Sequence, residues 1–133
     1  MNTRIVLTIA LLIASTTFLT SCGKYEDGPG FTLLTKKARL TGEWDAIEFE
    51  NSNGIVTADN SNTTVKFEKN GRVILNEDGF SITGKWEFTS NKEKIKITSE
   101  LLGDPEELTI LRLTNKDLWT KDSNGGITRS KKI

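Results

Sequence analysis

From Phe80 to Phe88 the chain alternates without a break. Phe80, Ile82, Gly84, Trp86 and Phe88 stand against Ser81, Thr83, Lys85 and Glu87. A period of two puts one set on each face of a β-strand, so one face is apolar and the other polar. That is the pattern of an antiparallel sheet buried on one side. Further strands are predicted over residues 44–50, 64–68, 72–76, 94–98, 107–113, 117–121 and 127–132. Turn residues separate them: Asn51-Ser52-Asn53-Gly54, Asn70-Gly71, Glu77-Asp78-Gly79, Ser90-Asn91-Lys92, Gly103-Asp104-Pro105, Asn115-Lys116 and Ser123-Asn124-Gly125-Gly126. Asn70-Gly71 predicts a two-residue hairpin, because both residues tolerate positive φ. About eight short strands at roughly 8–12-residue spacing indicate an all-β barrel or sandwich. Hairpin-length connections favour an up-and-down antiparallel meander. Before the first strand, the apolar residues between 33 and 40 predict one or two helical turns, ended by Gly42.

Composition narrows the chemistry. The 133 residues suffice for one domain. Eighteen Lys and Arg balance 18 Asp and Glu, so no basic footprint points to nucleic acid. There is no histidine and one cysteine, which excludes imidazole–thiolate zinc sites, Ser-His-Asp and Cys-His catalysis, and an intrachain disulfide. Asp59-Asn60-Ser61-Asn62 and Asn76-Glu77-Asp78-Gly79 carry oxygen ligands without calcium-loop spacing, and read as turns. Glu48 and Glu50 share a strand face, as solvent-facing charges do. Lys92, Lys94 and Lys96 form a basic strand face, read as an exposed or edge-protecting face rather than a phosphate site. No enzyme, metal or cofactor is expected.

The N-terminus follows a different rule. Arg4 precedes an apolar run over residues 5–14, broken by Ser15, Thr16 and Thr17. That run is too short to span a bilayer and has the form of a secretory signal peptide. Leu19-Thr20-Ser21-Cys22 resembles the bacterial lipobox. The resemblance implies cleavage before Cys22, diacylglycerol on its sulfur and acylation of its new amino group. The only cysteine stands at the position this chemistry needs, and several acyl chains anchor stably where one does not. Cleavage would remove one cation, Arg4, and no acid. The expected organisation is a signal peptide at 1–21, a lipidated tether at 22–31 and a β-barrel domain at 32–133. Glu26-Asp27 resembles the short export signal of surface lipoproteins in Bacteroidetes-type bacteria; its plain alternative is a solvated linker.

The order of leader, lipobox, tether, helical turn and Gly42-x-Trp44 resembles the lipocalin-like lipoproteins of Bacteroidetes-type bacteria. Lys37 to Trp44 looks like that family's opening, Phe67-Glu68-Lys69-Asn70-Gly71-Arg72 its second strand and turn, Thr83-Gly84-Lys85-Trp86 its central strand, and Ile110 to Leu118 its late strand and turn. The resemblance covers about residues 37 to 133 and implies a small lipocalin-like barrel. It implies that Gly42 and Trp44 close one barrel end, with Arg129 packed over the Trp44 ring by cation–π contact. The Thr-Asp-Tyr signature of true lipocalins is missing. Thr41-Gly42-Glu43-Trp44-Asp45 also echoes Thr83-Gly84-Lys85-Trp86-Glu87. Duplication is one explanation. Two independent needs for a close backbone approach and a large plugging ring are the other.

Alternation nominates Trp44, Val65, Phe67, Phe80, Ile82, Trp86, Phe88, Ile95, Ile97 and Leu118 as inward-facing. Eight strands enclose just enough room for side chains or one small ligand. Short strands and bulky residues favour a filled core. The same residues, Trp44, Phe67, Phe80, Ile82, Trp86 and Phe88 first, could line a pocket for a small apolar ligand. The functional expectation is a monomeric lipid-anchored binding module of the bacterial envelope, an outer-membrane lipoprotein held to the membrane at Cys22. The alternative is an accessory surface lipoprotein that contacts a protein or glycan by its outer face, through an exposed aromatic such as Trp119 or Tyr25.

Overall fold

The computed structural model describes residues 34–133. The leader, Cys22, Tyr25 and the tether lie outside the described residues. Helix α1 spans Lys36–Leu40, and the Thr35 hydroxyl caps it by accepting from the Ala38 amide at 3.1 Å. Nine strands follow: β1 Gly42–Glu50, β2 Val56–Ala58, β3 Thr64–Phe67, β4 Arg72–Glu77, β5 Phe80–Thr89, β6 Lys94–Thr98, β7 Glu106–Leu113, β8 Asp117–Lys121 and β9 Ile127–Lys132. All pairings are antiparallel. Strands β1, β3 to β9 neighbour one another in chain order, and β9 returns to β1, closing an eight-stranded up-and-down barrel. The ninth, β2, was not foreseen; its three exposed residues pair only with the far half of β1. The all-β barrel with a short N-terminal helical turn is the architecture expected from the alternation.

Register carries the two faces around the barrel. Trp44, Val65, Leu75 and Ile82 are successive cross-strand partners and point inward. So are Leu113, Leu118, Ser130 and Ala46. Register shifts at Ile47 and Leu111 reset the alternation in β1 and β7. Such bulges bend a strand and help a sheet curl closed. Leu40, Trp44, Phe67, Val73, Trp86, Ile95, Ile97, Ile110, Leu113 and Leu118 form one buried cluster. Val65, Leu75, Phe88 and Leu108 pack against it.

The turns show a division of labour. Asp78-Gly79 makes the two-residue turn, with φ of 46° and 88°. Asn70-Gly71 does not. Glu68 accepts from the Gly71 amide at 3.1 Å, and only Gly71 is left-handed (φ 88°), so the loop has three residues. Asn53-Gly54 and Asn124-Gly125 repeat this arrangement. Asn51 and Asp122 accept from the two glycine amides at 2.9 and 3.2 Å. The preceding position keeps negative φ because the loop is a right-handed turn closed by one left-handed glycine.

Candidate functional site

A meander of alternating strands has two ends. One receives α1 and the turns β3–β4, β5–β6 and β7–β8. The other, the far end, receives the segments β1–β3, β4–β5, β6–β7 and β8–β9.

The helix end is closed. Trp44 is fully buried, and its Nε1 donates to the Leu40 carbonyl at 2.8 Å, tying the ring to α1. Lys132, its partner across the β1–β9 ladder, lays its ammonium 5.0 Å from the Trp44 ring centroid and donates to the Arg39 carbonyl at 2.8 Å. Burial holds the Lys132 ammonium below the usual lysine range. Gly42 leaves room for this side chain: a Cβ there would sit 2.5 Å from Lys132 Cε. The resemblance assigned Trp44's cationic cover to Arg129, and the structure corrects it to Lys132. Arg129 stands in the outward phase of β9, between Trp119 and Glu48 in register, so it cannot reach an inward ring.

Trp86 seals the same end from β5. Its Nε1 donates to the Glu68 carbonyl at 2.9 Å, and its ring meets Phe67 and Phe88 edge-on at 5.6 and 5.3 Å. Gly84 is required by close approach, since a Cβ would fall 2.5 Å from the Thr98 carbonyl oxygen. Both members of the Gly-x-Trp echo therefore place a ring at the same barrel end, while each glycine is required for its own local reason.

The six nominated ligand residues separate. Trp44, Phe67 and Trp86 belong to the filled core. Ile82 and Phe88 are half-buried. Phe80 is not an inner-wall residue in effect: it is 80% exposed at the tip of the β4–β5 hairpin. It has company there. Leu101 is 76% exposed, Ile55 60% and Val56 49%. Phe49 and Leu102 are also exposed. All six belong to strand ends and loops of the far end. Below them, the inward positions Leu75, Ile82, Thr120 and Thr128 are only half-buried. The barrel is thus solid toward the helix and apolar but incompletely covered toward the far end. Leu101 and Leu102 went unnoticed in the sequence because nothing in Glu100-Leu101-Leu102-Gly103 marks them as rim residues; only the topology does.

On the outer wall, Arg112, Trp119 and Arg129 are register neighbours. The guanidinium carbons lie 5.3 and 5.1 Å from the Trp119 ring centroid. Arg129 also bridges Glu50 at 2.5 Å and Glu48 at 3.7 Å. The two glutamates are thus partners of one arginine, and Trp119 is half-buried within the ladder. Lys131 donates to Asp117 at 2.5 Å; this bond, with help from Thr114 and Arg112, holds the Asp117 carboxyl below its usual range. A second feature of this wall is an open groove of about 1120 Å³ across β4, β5 and β6. Arg72 and Lys85 oppose each other there as register partners. Among the described residues no group of three His, Cys, Asp or Glu side chains could hold a metal ion. No helix there is long and apolar enough to cross a membrane.

Comparison with known proteins agrees with this geometry. The family model GH43_C, described as a C-terminal lipocalin-like domain, matches residues 27–124. The crystal structure of a lipocalin-like protein from Bacteroides uniformis superposes with a TM-score of 0.61 at 17% identity, covering 71% of this chain and 99% of that one. An uncharacterized protein from Bacteroides eggerthii gives 0.58 at 18% identity, with the same coverage. At such identities the likeness is one of fold. No curated protein matches the chain.

Proposed function

We propose that this chain, which belongs to the C-terminal lipocalin-like domain family, is a lipid-anchored binding module of the bacterial envelope that takes a small apolar ligand at the far end of its barrel. The observation that carries the reading is the gathering of Phe49, Ile55, Val56, Phe80, Leu101 and Leu102, all exposed, around one barrel end. Exposed apolar residues scattered singly need no explanation, but a cluster at one rim does. The filled core beneath confines the ligand to the rim and upper wall. The anchor is the lipid on Cys22, which would make the protein an outer-membrane lipoprotein acting as a monomer.

Native mass spectrometry of protein from its own host tests the ligand. We expect a co-purifying apolar molecule that is lost in Phe80→Asp/Leu101→Asp, whose thermal midpoint stays within a few degrees of wild type. A wild-type protein free of ligand in every preparation overturns the reading. Cys22→Ala tests the anchor separately: radiolabelled palmitate incorporation should vanish and the protein leave the membrane fraction. Continued labelling would refute lipidation there.

One observation favours a second reading, contact with a glycan or protein through the outer face. Like charges directly opposed on adjacent strands are destabilising, yet Arg72 faces Lys85 without a carboxylate in ion-pair distance among the described residues. An acidic glycan that binds wild type and is lost in Lys85→Glu would support it.

A further inference from the structure

A net charge of +0 conceals a separation of charge between the barrel's two ends. The far-end segments, residues 51–63, 78–79, 99–105 and 122–126, hold Asp59, Asp78, Glu100, Asp104 and Asp122 and no Lys or Arg. The helix-end segments, residues 34–41, 68–71, 90–93 and 114–116, hold Lys36, Lys37, Arg39, Lys69, Lys92 and Lys116 against Glu68 and Glu93. Strand β9 also finishes there on Lys131, which is paired with Asp117, and on Lys132, while at the far end Lys121 closes β8 as the one strand-end cation of that strand. Lys37, Lys69, Lys92 and Lys116 are exposed. Strands of this length separate the ends by roughly 20 Å, about two Debye lengths at physiological salt, so each end presents its own field. Everything upstream of residue 34 joins the barrel at the basic end.

We infer that the helix end docks on an anionic lipid surface, holding the acidic, apolar-rimmed far end away from it. The chain's entry point places this end nearest the anchor, so the inference takes its orientation from the lipid-anchor reading. A single lipid signal is commonly completed by a basic patch, and each surface cation strengthens adhesion several-fold. A membrane thereby selects one face of the barrel, and the ligand rim is presented outward.

The test uses the mature chain, residues 22–133, carrying Cys22→Ala, which removes the lipid and the only thiol. Its outcome is therefore independent of whether Cys22 is acylated in cells. Vesicles of 30% phosphatidylglycerol in phosphatidylcholine should sediment it, and pure phosphatidylcholine vesicles should not. Half-molar NaCl should release it. Lys69→Glu/Lys116→Glu should weaken binding about tenfold or more. Both residues are exposed turn positions, and circular dichroism verifies that the variant folds. An environment-sensitive dye on Asn115→Cys should respond to the anionic vesicles, and the same dye on Asn124→Cys should not. No binding, equal binding to neutral vesicles, or a stronger response at Asn124 overturns the proposal. Loss of palmitate labelling in the native host bears only on the anchor.

Discussion

Gly42 and Gly84 show how one residue type meets two kinds of constraint. At Gly42 the obstacle to a Cβ is the flexible end of Lys132, and the backbone sits at φ +132°. At Gly84 the obstacle is a carbonyl oxygen of β6, which cannot swing away. Gly84→Ala should therefore cost about 3 kcal/mol, more than the roughly 1–2 kcal/mol of Gly42→Ala. Chemical denaturation of both variants checks the order, and Lys132→Ala should soften only the Gly42 substitution. Asp117 carries a pH dependence. Its folded carboxyl titrates below its ordinary value near 3.8, so it stabilises fully above that value and loses the contribution as pH falls through the folded pKa. Asp117→Asn should cost more stability at pH 6 than at pH 2, read from urea midpoints. Trp44 was legible as a key residue in the sequence alone. Lys132 was not, because a lysine at the end of a polar strand has no signature until register sets it beside a ring.

At the scale of elements, the turns decide how the strands meet. Three Asn-Gly pairs close three-residue loops, and one Asp-Gly pair closes a two-residue loop. The β5–β6 connection is different: Ser90, Asn91 and Lys92 are all left-handed, with φ of 50°, 57° and 65°. Non-glycine residues pay for that conformation. Ser90→Gly should raise stability by about 0.5 kcal/mol, whereas Gly71→Ala, at φ 88°, should lower it by about 1 kcal/mol. Thermal unfolding of the pair reads both signs. Strand positions were readable because alternation and turn residues are local. Strand β2 was not: Val56-Thr57-Ala58 is too short to show a period and exists only because the far half of β1 offers an unpaired edge.

For the whole molecule, closure is the decisive property. The pairing of β9 with β1 joins residues near 129 to residues near 48 and closes the eight-stranded meander on itself. Truncation before β9 should leave two free edges and a split core. We expect no cooperative unfolding transition and aggregation on size-exclusion chromatography; a folded monomer would contradict this. The eight barrel strands, the meander order and most of the core follow from local patterns, since a period of two and a turn residue act within a few positions. The inward list named Phe80 correctly by phase, but phase says nothing of height, and Phe80 lies beyond the rim. Which cation covers Trp44, which loops gather at one end, and how a neutral chain becomes basic at one end and acidic at the other depend on register and closure. Those join residues far apart in sequence, and no local pattern records which of them become neighbours.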